Sequence, residues 1–269
     1  MQYKEYAVRF LSTSNARKER HLVASDENNA DTASLRKASD ASTGEKPASP
    51  QMGENTHKLM CMIKWPLEEL IRQVKSDPNI IHSVDIHGAT LMHVAAKKGR
   101  TDILEYLIDD GAIIDVKDVN DNTPSHWAIY GNQPEALRIL LDAGADMTIL
   151  NHANMNLIHA ACDWNKPEML EVLASYKDFD PNVPGDHGMT PIHFCAARDS
   201  DTAAKKLLEL QVKLCIRDDH GVYPVHRAAA NGSTKVLEIL LSEGEKLGCT
   251  RADQFHLRTM RITQYYILP

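Results

Sequence analysis

The feature that most limits how this chain can fold is the spacing of five histidines. His93, His126, His159, His193 and His226 are separated by 33, 33, 34 and 33 residues, so five of the 13 histidines fall on one recurring position. Their surroundings recur in register. Three residues ahead stand Thr90, Thr123, Asn156, Thr190 and Tyr223, with proline next at Pro124, Pro191 and Pro224. Two residues beyond come Ala95, Ala128, Ala161, Cys195 and Ala228. Self-similarity at such a period means one supersecondary unit stacked on copies of itself, each burying its apolar face against the next.

The unit can be read residue by residue. Gly88, Asp121, Asn154, Gly188 and Gly221 stand five places before the histidines, and Gly99, Asn132, Asn165, Asp199 and Gly232 six places after. Only Gly, Asn and Asp occur at both places, and these tolerate positive φ. The pattern predicts two tight turns per unit, one ending a loop and one joining two helices. Between them, Thr-Pro supplies a capping hydroxyl and a first-turn proline. A second helix is predicted from Thr101, Pro134, Pro167, Asp201 and Thr234. It carries Leu140-Leu141, Leu207-Leu208 and Leu240-Leu241, and closes with Gly111-Ala112 or Gly144-Ala145. Repeat four has Gln211-Val212 at that place, and repeat three has Tyr176-Lys177-Asp178 and one extra residue.

This pattern resembles the ankyrin repeat, which implies an all-α solenoid of helix–turn–helix units with projecting loops. Residues 85–250 then hold five repeats whose contacts stay local. Leu67, Leu70, Ile71 and Val74 share one helical face, and residues 58–84 are expected to form a degenerate capping repeat with a helix at 66–75. In the family, the recurring Thr and His stitch one repeat to the next. That role falls here on His93, His126, His159, His193 and His226 with Thr90, Thr123 and Thr190; Asn156 and Tyr223 depart from it. Residues 11–57 lack any aromatic residue, and seven of their twelve apolar residues are alanine, so 1–57 is expected to be a disordered tail. Within it, Arg36-Lys37-Ala38-Ser39 and Ser49-Pro50 resemble kinase sites. After Thr250 the period stops, and 251–269 is expected to be irregular or truncated. Val236, Leu237 and Leu240 should then be partly uncovered, repeat five least stable, and the chain prone to self-association.

Composition removes several function classes. A net charge of −7 argues against a nucleic-acid partner. No stretch approaches 18 apolar residues, so no membrane span is expected within this chain. Five cysteines without a C-x-x-C pair suggest a reducing, intracellular setting, with Cys162, Cys195 and Cys215 packed as small hydrophobes. Neighbouring repeat histidines stand about one helix diameter apart, too far to share a zinc ion. There is no phosphate-loop, dinucleotide, zinc-protease or nucleophile-elbow motif, so neither enzyme nor cofactor is expected.

What remains is binding through the concave side that such an array presents. The loop tips would offer Asn120, Asn122, His152, Met155, His187, Met189, His220 and Val222, with Asp186 between them. The inner helices would offer Lys97, Lys98, Tyr130, Asp163, Trp164 and Arg198. Trp164 with Tyr130 and Arg198 has the make-up of an interaction hot spot, unless Trp164 folds back over its own turn.

A closer resemblance lies in Asn151-His152-Ala153-Asn154-Met155, Gly188-Met189-Thr190-Pro191-Ile192-His193 and Gly221-Val222-Tyr223-Pro224-Val225-His226. These segments are similar to the N-terminal cytosolic repeats of the ankyrin subfamily of transient receptor potential (TRPA-type) cation channels. That resemblance implies ion transport, other subunits of a homotetramer as partners, and a place on the cytoplasmic side of a membrane. The alternative is a free-standing soluble adaptor.

Overall fold

The computed structural model describes residues 58–246. Helical residues at 58–62 are followed by α1 (Leu67–Ser76) and a 3₁₀ turn (Pro78–His82). Ten helices then alternate as five pairs. The first helices are α2 (Leu91–Lys98), α4 (Pro124–Gly131), α6 (Leu157–Asp163), α8 (Pro191–Arg198) and α10 (Pro224–Asn231). The second helices are α3 (Thr101–Asp109), α5 (Pro134–Asp142), α7 (Pro167–Ala174), α9 (Asp201–Glu209) and α11 (Thr234–Lys246). All five second helices begin at the residue the repeat register predicts. No strand occurs among the described residues.

The ten turn positions singled out in the sequence all adopt the left-handed conformation, with φ from 50° at Asn154 to 73° at Gly221. Repeat four keeps the closing turn without glycine: Gln211 sits at φ 60°, beside Gly111 at 82° and Gly144 at 96°.

Helices of eight or nine residues are marginal alone, so packing must hold them. The first helices stack on one another in one row and the second helices in another. Contacts stay within a unit or its neighbour. α2 buries Leu91, Met92, His93, Val94, Ala95 and Ala96, nearly all round, because neighbours cover it on several sides. α5 is one-sided and buries Ala136, Leu137, Leu140 and Leu141. Each such leucine contributes about 2 kcal/mol of burial. Gly131 allows a close approach between the first two units, since a Cβ there would lie 2.1 Å from the Lys97 carbonyl oxygen.

Ahead of repeat one, Leu59, Met62, Leu70 and Val74 are buried. The Arg100 guanidinium donates to the carbonyls of Ile63 and Trp65 and pairs with Asp102 at 2.7 Å, tying this segment to α3. At the other end, one expectation is corrected: Val236, Leu237 and Leu240 are buried, not uncovered, between α11 and the helices of repeats four and five. A second correction concerns Cys215, which is exposed on the loop after α9; among the described residues, Cys162 and Cys195 are the cysteines packed in the core. The tails at 1–57 and 251–269 lie outside the described residues.

Candidate interaction face and the stitches that hold it

Four of the five repeat histidines, His93, His126, His159 and His193, bond in both directions. In repeat one, His93 Nδ1 accepts from the Thr90 N–H at 3.1 Å and from the Thr90 hydroxyl at 3.0 Å, which leaves Nε2 to donate to the Asn122 carbonyl of the next unit at 3.0 Å. His126 does the same with Thr123 and the Met155 carbonyl, and His193 with Thr190 and the Val222 carbonyl. This geometry requires the neutral ring. Burial agrees with it: it drives His126, His159 and His193 down to about 4 and lowers His93, against the carbonyl bonds that pull the other way.

The two departures resolve differently. Asn156 replaces the hydroxyl with an amide whose Oδ1 accepts from the Ile158 and His159 N–H groups, each at 3.1 Å, so that cap survives. Tyr223 keeps only the backbone half, its N–H donating to His226 Nδ1 at 3.4 Å. Its hydroxyl instead accepts from Arg217 Nε at 2.7 Å.

A further recurring position escaped the sequence reading. Eight residues before each histidine stand Asp85, Asp118, Asn151, Gly185 and Asp218. The first three and Asp218 each accept from two backbone N–H groups of their own loop, as Asp118 does from Asn120 at 2.8 Å and Asn122 at 2.9 Å. Burial raises the Asp118 carboxyl, but donors from Trp127, Asn122 and Asn120 outweigh it and hold the group below its ordinary value. Asp218 is held down in the same way by Arg227 at 2.5 Å and the Val222 N–H. The available signal was register: four of five residues at that place are Asp or Asn.

The loop tips are joined by backbone. Val119 N–H donates to the His87 carbonyl at 2.9 Å, His152 to Asn120 at 2.8 Å and Asp219 to His187 at 3.0 Å. Asn120, His152, His187 and His220 are exposed, while Met155, Met189 and Val222 are half-buried. Asn122 is buried rather than displayed, because Tyr130 Oη and Asn151 Nδ2 both donate to its Oδ1, at 2.8 and 3.0 Å.

On the inner helices the predicted residues converge. Trp164 caps α6 and is 53% exposed, with its ring 5.4 Å from that of Tyr130 in the preceding unit. It leans on a neighbour rather than over its own turn. Tyr130 is half-buried, and burial pushes its hydroxyl up to about 12. Arg198 Nε lies 2.7 Å from Asp163 Oδ1. Trp127, not among the expected residues, joins this surface: its Nε1–H donates to Asp118 at 2.9 Å and Lys97 Nζ stands 5.0 Å over its ring.

Stacked helix pairs that share a loop edge and present aromatic and charged side chains along one row define a repeat array for protein–protein interaction. The chain belongs to the ankyrin-repeat family: the family described as ankyrin repeats (3 copies) matches residues 59–151 and 157–251, well over half of the 269. No curated protein matches the chain. Among the described residues no helix is long and apolar enough to cross a membrane.

Proposed function

We propose that this protein is an interaction module whose inner helical row, centred on Trp164, is the partner-binding surface. The carrying observation is a tryptophan 53% exposed on a rigid helix end, braced by Tyr130 at 5.4 Å and flanked by the Arg198–Asp163 pair. A large amphipathic ring held in place loses little freedom on binding, which is the usual make-up of a hot spot. The loop-tip residues Asn120, His152, Met155, His187, Met189 and His220 form the second wall of that surface. The test uses binders selected from a displayed random-peptide library on the intact chain. Trp164→Ala should weaken them by about thirtyfold while the melting temperature stays nearly constant. Binders indifferent to that substitution would refute the placement.

Two settings are equally consistent with such a module. Residues 151–155, 188–193 and 221–226 favour the cytosolic array of a TRPA-type channel subunit, whose partners would include other subunits. A free-standing adaptor requires only the repeats themselves. Reading the transcript downstream of codon 269 separates them: further 33-residue units followed by spanning segments support the channel, and a stop codon supports the adaptor.

A further inference from the structure

We infer that the partner is a protein segment in extended conformation that sets an acidic residue over Lys97 and Lys98 and an apolar or aromatic residue against Trp164. This rests on the inner row being the binding surface and adds what the surface reads. Lys97 and Lys98 are both exposed at the end of α2. Neither forms an ion pair among the described residues; Lys97 meets only the Trp127 ring, at 5.0 Å. Asp163 is paired with Arg198 and Asp102 with Arg100, each at 2.7 Å, while Asp118 keeps its charge and is held by the neutral donors Trp127 and Asn122. The lysine pair is therefore a positive site without an ion-pair partner among the described residues, beside an aromatic shelf.

Charge also sets direction. The loop tips of repeats one and two carry the exposed apolar residues Ile86 and Val119, at 51% and 64%. Those of repeats four and five carry Asp186 and Asp219, whereas Asp121 on the repeat-two tip is paired with Lys117 at 3.6 Å. An acidic segment is repelled from the second end and accepted at the first. From α2 to α6 are two interhelical steps of about 9 Å each, roughly 18 Å in all. An extended chain covers that in about five or six residues. The acid and the aromatic residue of the partner should stand that far apart.

The experiment analyses the sequences of peptides selected from a random dodecapeptide display library on the intact protein. The expected result is enrichment of Asp or Glu about five residues from Trp, Phe or Leu. Affinity for a synthetic peptide of that consensus should fall about tenfold with Lys97→Gln plus Lys98→Gln, and fall as salt rises. The paired glutamines are exposed, and an unchanged circular-dichroism melt establishes that the variant is folded. Peptides that need Trp164 but show no acidic preference, and ignore the glutamine variant, would overturn this inference and leave the binding surface standing. Peptides that ignore Trp164 as well would overturn both. A single-stranded RNA oligonucleotide bound more tightly than any selected peptide would replace the acidic segment with a nucleic acid and overturn the inference.

Discussion

The junction between repeats one and two and the junction between repeats three and four solve one problem with different parts. At the first, His93 reaches the Asn122 carbonyl 29 residues ahead, Asp118 organises the loop, and Val119 N–H bonds to the His87 carbonyl. At the second, His159 reaches the Val183 carbonyl 24 residues ahead, at 3.0 Å. Gly185 stands where Asp would organise the loop, and Asn154 Nδ2 meets Asp186 Oδ1 at 3.3 Å in place of the backbone link between tips. The loop still closes, with Gly185 N–H donating to the Met189 carbonyl at 2.8 Å. The histidine therefore requires an acceptor at the right place in space, not at a fixed place in sequence. The extra residue is absorbed in the loop, and the helical rows run through undisturbed.

Acid should weaken the histidine stitches along the whole array, at the irregular junction through His159 and at the regular ones through His93, His126 and His193, and this is the largest expected effect. His126, His159 and His193 have folded values near 4 against 6.5 in the unfolded chain. The unfolded state then binds more protons, so their contribution is full above pH 6.5 and is lost as pH falls towards 4. Each is worth about 3 kcal/mol once pH is below that window. Urea unfolding followed from pH 7.5 to 5 should show a falling midpoint; a flat profile would mean that the buried rings are not neutral donors.

Single removals sharpen the comparison. His93→Ala and His159→Ala should each cost about 2–4 kcal/mol by stranding buried polar groups on both sides. If His159→Ala were nearly silent, the irregular junction would be held by its loop and not by its histidine. Gly185→Asp restores the residue found at three of the other four positions and should nevertheless destabilise, by about 1–3 kcal/mol. A Cβ there would lie 2.9 Å from the His159 ring and from the Asn154 carbonyl. Stabilisation by this change would refute the close approach. The smallest effect is expected at Trp164→Ala, about 1 kcal/mol or less in chemical denaturation, because the ring touches Tyr130 from a mostly open position.

The period of 33, the helix starts and the ten left-handed turns were legible because each rests on local chemistry. Pro124 presets a first turn, Gly99 accepts positive φ, and Leu137 and Leu140 fall on one face wherever the chain lies. The recurrence of the histidines was legible in the same way, while their stitching role followed from the resemblance to the ankyrin repeat. What the sequence left open depends on side chains from different units meeting. Asn122 occupies a tip position, yet Tyr130 and Asn151 draw it into a buried network that no local rule contains. That the Val183 carbonyl, beside that of Met189, serves as acceptor for His159 was decided by how the loop packs over the ring. Trp164 carries its residue type in the sequence, but its support by Tyr130 across the junction, and so its availability to a partner, comes only from stacking one unit on the next. Short-range geometry is set by the backbone of each residue; contacts between repeats are set by shape and desolvation, which exist only once the repeats are packed.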